Sequence, residues 1–146
     1  MIKENFTKEF DCMKRNGLIV GCLFVVVISI MAIFIFSGPK PYKDLKTSDI
    51  VSATVHLSPP DKTAEITEIK ELVSYLNEVV IYNEDNSYTE YAGQAAIFTL
   101  IMADGSKEEI TAYNPFVVIN GTGYKTKYEP CEQLNNYANK LLDRVE

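Results

Sequence analysis

The sequence predicts an α+β fold, an antiparallel sheet with two helices packed on one face, preceded by one transmembrane helix. Three observations lead to this prediction. An uncharged apolar segment lies near the N-terminus, and two later segments repeat apolar residues at helical spacing. Between those two segments, short stretches alternate apolar and polar residues around Asp-Gly and Asn-Gly turns, which is typical of hairpins. Because hairpins pair antiparallel strands, the helices are expected to cover one face of an antiparallel sheet.

The first predicted element is the transmembrane helix at residues 18–36. Its 19 residues carry no charge, and at 1.5 Å per residue they would span about 28 Å, close to the thickness of the bilayer hydrocarbon. A cleaved signal peptide is less well supported, because the run is long and residues 37–41 lack a small-x-small cleavage site. Lipidation at Cys22 is also disfavoured, since this cysteine opens the apolar run instead of following it.

Basic residues beside this segment predict its orientation. Lys14 and Arg15 directly precede it, which favours a cytoplasmic N-terminus and an extracellular C-terminal domain. The chain is therefore expected to be a single-pass cell-membrane protein with a signal anchor. The predicted parts are a cytoplasmic tail at 1–17, the transmembrane helix at 18–36, a Pro- and Lys-rich linker at 37–46, and an extracytoplasmic α+β domain at 47–146.

Net charge limits the partners of the predicted domain. Residues 47–146 contain 16 acidic and 7 basic residues, a net charge of −9, against −6 for the whole chain. Such a domain repels nucleic acid phosphates, so neutral or cationic partners are expected. The three cysteines, Cys12, Cys22 and Cys131, fall in three different predicted compartments, so no intramolecular disulfide is expected.

The elements of the domain follow from periodicity and turn residues. Alternation at 51–57 predicts a strand with Val51, Ala53, Val55 and Leu57 inward. The remaining predicted elements are a short strand at 62–66, a helix at 68–81, a loop at 83–93, strand pairs at 95–103 with 108–113 and at 116–119 with 124–128, and a last helix from 129. The predicted core joins the two helical stripes to the strand residues Val55, Leu57, Ile97, Leu100, Ile110 and Val118.

Catalytic and metal motifs are sparse. The sole histidine, His56, falls on the polar side of its strand, so we interpret it as a surface residue and not as a ligand. Residues 83–94 begin like a calcium loop, but Tyr88 and Gln94 replace the glycine and glutamate that such a loop requires. Cys131 shares a helix face with Leu134, which favours core packing over a reactive thiol. We therefore predict no enzymatic activity, no metal and no cofactor.

Tyrosine is abundant, with nine residues and no tryptophan. Several tyrosines fall in or near loops and hairpins, where a large apolar ring with a polar tip suits an interface. The competing interpretation is that these rings complete the rim of a small core. The predicted interaction surface consists of Tyr88, Tyr91, Asn114, Tyr124 and Tyr128.

Four short segments carry a resemblance, at 58–62 (SPPDK), 80–83 (VIYN), 113–116 (YNPF) and 123–128 (GYKTKY). With them, Ser48 to Leu142 resembles a small extracytoplasmic domain of Gram-positive, clostridia-like bacteria. Similar regions are appended to antirepressor-type membrane metallopeptidases. The zinc motif of the peptidase is absent here, so the resemblance implies a sensor or accessory domain and not a peptidase.

Three functional hypotheses follow. The first is a membrane-anchored binding or regulatory module with a protein, peptide or glycan partner and no nucleic acid partner. The second is a structural envelope protein that self-associates. The third is an enzyme with an unrecognised site, which would require ionisable residues to converge in one pocket.

Overall fold

The computed structural model describes residues 23–29 and 38–144. In the second range the helices are α1 (Ile69–Leu76) and α2 (Tyr128–Asp143). The strands are β1 (Ile50–Ser58), β2 (Lys62–Glu65), β3 (Ile81–Glu84), β4 (Ala95–Met102), β5 (Lys107–Tyr113), β6 (Phe116–Ile119) and β7 (Thr122–Thr126). Short 3-10 turns lie at Thr47–Asp49 and Asn86–Glu90.

The seven strands form one antiparallel sheet in the order β2-β1-β4-β5-β6-β7-β3. The predicted α+β fold with an antiparallel sheet is confirmed. Both helices pack on the sheet, where α2 contacts β1, β2, β4 and β5 while α1 contacts β1 and α2. The core lies between the helices and the strand residues that point toward them, including Val55, Phe98, Ile110, Leu72 and Leu134.

Three predictions of core residues were wrong, and the first two concern Val51 and Ile97. A bulge between Ile50 and Ser52 turns Val51 outward, so its side chain is 68% exposed and Ile50 is buried instead. Ile97 is half-buried on the face opposite the helices, whereas its neighbour Phe98 is fully buried in the core. β4 carries apolar residues on both faces. Its sequence therefore lacks the apolar–polar alternation that would show which side faces the helices.

Val118 is buried but lies outside the core cluster. It follows Val117, which belongs to that cluster, and successive strand residues point to opposite faces. Val118 therefore belongs to the second face of the sheet, and its predicted place beside the helices was wrong.

Two element boundaries also differ from the prediction. α1 ends at Leu76, and the β-branched run Val79-Val80-Ile81 leads into β3 instead of continuing the helix to residue 81. Asn120 and Gly121 form a two-residue turn with φ of 49° and 87°. This tight turn lets β7 begin at Thr122, two residues before the predicted start.

The segment between the predicted membrane helix and the sheet packs on the domain. Contacts divide the chain after Gly38, so the compact unit begins at Pro39 and includes most of the predicted linker 37–46. Tyr42 and Leu45 pack against the core, and the Pro39 carbonyl accepts a hydrogen bond from the Ile81 amide at 2.9 Å. Through the contacts of Tyr42 and Leu45, most of the predicted linker is part of the folded domain.

Residues 23–29 are helical and lie within the predicted transmembrane segment 18–36. Their apolar side chains, Leu23 to Ile28, are exposed. Within the described ranges no helix is long and apolar enough to cross a membrane. The rest of the predicted segment, and the tail at 1–17, lie outside the described residues.

Candidate functional site

The connection from β3 to β4 crosses the sheet. β3 is an edge strand beside β7, whereas β4 lies between β1 and β5, so the chain must pass β7, β6 and β5 to reach it. We call residues 85–94 the belt. It bonds in turn to β7, through Asp85 N–H to Gly123 O (2.9 Å), and to β5, whose Tyr113 hydroxyl donates to Tyr91 O (2.6 Å).

The belt lies on the face opposite the helices. Ala112 and Val117 point into the core between sheet and helices. Their strand neighbours Tyr113 and Phe116, which pair with each other across β5 and β6, therefore point to the other face. Phe116 is fully buried on that face because the belt covers it.

Polar contacts fix the start of the belt. The Asp85 carboxylate accepts a hydrogen bond from the Ser87 amide at 2.9 Å, and Asn86 Oδ1 accepts one from the Gly123 amide at 2.8 Å. Lys125 Nζ lies 3.5 Å from the second Asp85 oxygen. The hydrogen bonds from Ser87, with a smaller contribution from Lys125, hold the pKa of Asp85 below its usual value.

Tyr88 and Tyr91 of the belt form an aromatic cluster with Phe116 and Lys125 of the sheet. The Tyr91 ring meets Phe116 edge-on with centroids 5.2 Å apart, and the Tyr88 ring is tilted against it at 6.4 Å. Lys125 Nζ lies 3.8 Å from the Phe116 centroid, within cation–π range. Since Asp85 contacts the same ammonium, this lysine is held between a carboxylate and a ring.

Exposure distinguishes the two tyrosines of the aromatic cluster. Tyr88 is half-buried, because its ring occupies the space above Gly123. Tyr91 is 53% exposed although its ring rests on a fully buried one. The aromatic cluster therefore presents one supported aromatic ring to solvent.

The five residues of the predicted interaction surface do not form one surface. Tyr88 and Tyr91 come together in the aromatic cluster. Tyr124 pairs with Val117 and packs against the core on the helix-covered face. Asn114 lies in the turn between β5 and β6 with its Oδ1 buried, and Tyr128 opens α2 with 56% of its surface exposed.

Sequence reasoning missed Phe116, Lys125 and Gly123. Phe116 belongs to the segment 113–116, and Gly123 and Lys125 belong to 123–128. Both segments carry the resemblance, and that was the only feature of the sequence that singled these residues out. Their association depends on the order of β6, β7 and the belt, which no local pattern specifies.

The other candidates of the sequence have structural partners. His56 lies between the Thr63 hydroxyl at 2.9 Å from Nδ1 and the Asp61 carboxylate at 3.2 Å from Nε2. Cys131 is buried as expected, its thiol donates to Phe116 O at 3.2 Å, and burial raises its pKa to about 12. In the described residues, no three His, Cys, Asp or Glu side chains converge as a metal site.

Comparison of the chain with protein families, with curated proteins and with solved structures finds no match.

Proposed function

We propose that the chain is a membrane-anchored extracytoplasmic binding or regulatory module without catalytic activity, whose partner contacts Tyr91. The observation that carries the proposal is that Tyr91 is 53% exposed while its ring rests on the buried Phe116 ring. Tyrosine provides a large contact area with few torsions to order, and a ring already held in place loses still less entropy on binding.

Charge favours a neutral or cationic partner. The Lys125 ammonium is matched by Asp85, so the aromatic cluster itself presents little net charge. The surrounding residues 47–146 carry a net charge of −9. A protein, peptide or glycan fits this surface, whereas a nucleic acid would be repelled.

Membrane anchoring is part of the proposal and rests on the sequence. Residues 18–36 match the bilayer in length and lack charges, and Lys14 and Arg15 flank the proposed cytoplasmic end. The exposed apolar side chains at 23–28 agree with a helix surrounded by lipid. The resemblance to a small extracytoplasmic domain of Gram-positive bacteria points the same way.

The alternative, a structural envelope protein that self-associates, gains no support from α2. The apolar stripe of α2, including Leu134, Tyr137 and Ala138, is buried against the sheet. Apart from Tyr128 at its first position, the exposed residues of α2 are polar or charged, so this helix offers no continuous apolar face for a second copy.

Site-specific photo-crosslinking in intact cells tests the proposal. A benzophenone amino acid would replace Tyr91 in one variant and Tyr128 in the other, in the full-length chain. The two tyrosines are matched in exposure, at 53% and 56%, but Tyr128 lies outside the aromatic cluster. Adducts from position 91 and none from position 128 are expected, and equal yields at both positions would overturn the proposal.

A further inference from the structure

A groove separate from the aromatic cluster lies where β1 and the end of α2 meet. Its volume is about 420 Å³, within the usual range for small-molecule sites. Leu57 and Leu142 form an apolar floor and are 1% and 8% exposed. The rings of Pro59 and Pro60 extend this apolar surface along one wall.

Two amides that bond to each other also line the groove, those of Gln94 and Asn139. Asn139 Nδ2 donates to Gln94 Oε1 at 2.9 Å, and Gln94 Nε2 donates back to Asn139 Oδ1 at 3.3 Å. The same nitrogens also donate to Asn135 O at 2.8 Å and to Pro59 O at 3.0 Å. Four hydrogen bonds therefore hold both amides in a fixed orientation.

Within this amide pair the hydrogen-bond donors are used up, whereas acceptors remain available. Each amide nitrogen has two hydrogens, and both are engaged. Each amide oxygen accepts one hydrogen bond from the described residues and has a second lone pair. The polar wall of the groove thus offers Gln94 Oε1 and Asn139 Oδ1 to a ligand that donates hydrogen bonds.

We infer that this groove binds a neutral saccharide. A sugar ring has an apolar C–H face that suits Leu57, Leu142 and the prolines, and its hydroxyl groups donate to fixed acceptors. Lys62 and Asp143 also line the groove and contribute one charge of each sign, so the lining as a whole is neutral, as a neutral ligand requires. An anionic polymer is disfavoured by the net charge of −9.

The inference adds a ligand class to the proposed binding function. It rests on that function because it assumes that the groove faces the outside of the cell. The groove shares no residue with the aromatic cluster. Saccharide binding and partner binding at Tyr91 can therefore be tested and can fail independently.

The experiment is a titration of the full-length ¹⁵N-labelled protein in phosphocholine micelles, since detergents with sugar headgroups would compete. Chitotetraose, cellotetraose and maltotetraose are added separately while the side-chain amide signals of Gln94 and Asn139 are followed. We expect saturable shifts of these signals with at least one sugar, at a Kd of about 1 mM or tighter. Asn139→Ala should weaken binding by about tenfold, since it removes one acceptor and frees Gln94 to reorient.

Matched controls separate the groove from its surroundings. Asn136→Ala changes an exposed asparagine on the same helix that does not line the groove, and it should leave the titration unchanged. Tyr91→Ala should also leave it unchanged. An absence of saturable shifts with all three sugars, full affinity in Asn139→Ala, or shifts with tetraglycine in place of the sugars would overturn the inference.

Discussion

Gly123 and Tyr88 are in direct contact: a Cβ at position 123 would lie 2.6 Å from the Tyr88 ring and 2.6 Å from the Asp85 carbonyl oxygen. The belt can lie this close to β7 only because residue 123 has no side chain. This contact brings Tyr88 down onto the sheet and positions the rest of the aromatic cluster.

Gly123→Ala should therefore displace the belt. One side of the added methyl faces backbone, so relief requires movement of the main chain, and we expect a loss of about 1–3 kcal/mol in the free energy of unfolding. Urea melts of the full-length protein measure it. Gly93→Ala is the control, because its Cβ would meet the Tyr113 ring at an ordinary 3.7 Å. Equal stability of the two variants would contradict a tight contact at Gly123.

Substitutions of Phe116 and Tyr91 are expected to have different effects on the free energy of unfolding, because only Phe116 is buried. Phe116→Ala removes a fully buried ring and should cost about 3–5 kcal/mol. Tyr91→Ala truncates a half-exposed ring and should cost less than about 1 kcal/mol. Thermal melts compare the two, and a strongly destabilised Tyr91→Ala would mean that this ring serves the fold and not a partner.

Local pattern predicted part of this architecture. The alternation in β1 and the Asp104-Gly105 and Asn120-Gly121 turns predicted strands and hairpins, because both signals lie within a few residues. The belt could not be predicted in this way, since it exists only because β3 pairs with β7 while β4 pairs with β1. That strand order also explains why Tyr124 and Tyr91, both near hairpins, lie on opposite faces.

The buried thiol predicts a pH dependence of stability. Burial raises the pKa of Cys131 from 9.0 to about 12, so the folded state keeps this proton at pH values where the unfolded state loses it. The contribution is fully present below pH 9 and is lost as the pH rises from 9 to about 12, at about 1.4 kcal/mol per pH unit. Urea melts between pH 8 and 11 test this. Cys131→Ala should reduce the slope most clearly between pH 9 and 10, below the range in which the partly buried Tyr42 and the buried Tyr137, whose pKa values are also raised, contribute. An unchanged slope there would contradict the prediction.

Topology is tested with cysteine labelling of intact cells. In a Glu90→Cys variant, the exposed belt position 90 should react with a membrane-impermeant maleimide, because the domain is expected outside the cell. Cys12 should react only after lysis, and buried Cys131 should react in neither condition. Labelling of Cys12 in intact cells, with protection at position 90, would reverse the proposed orientation.

The last prediction concerns the segment 39–46. Tyr42 and Leu45 pack partly buried against the core, and a chain that begins at residue 47 lacks both. Partial burial of two such side chains stabilises the fold by about 2–3 kcal/mol. A chain beginning at Pro39 should therefore have a higher free energy of unfolding by about this amount, which urea melts of the two chains measure. The Lys40–Glu78 ion pair at 2.7 Å is exposed, so Lys40→Ala in the longer chain should cost less than about 1 kcal/mol. If the two chains were equally stable, residues 39–46 would act as a linker, because their apolar contacts would contribute nothing measurable.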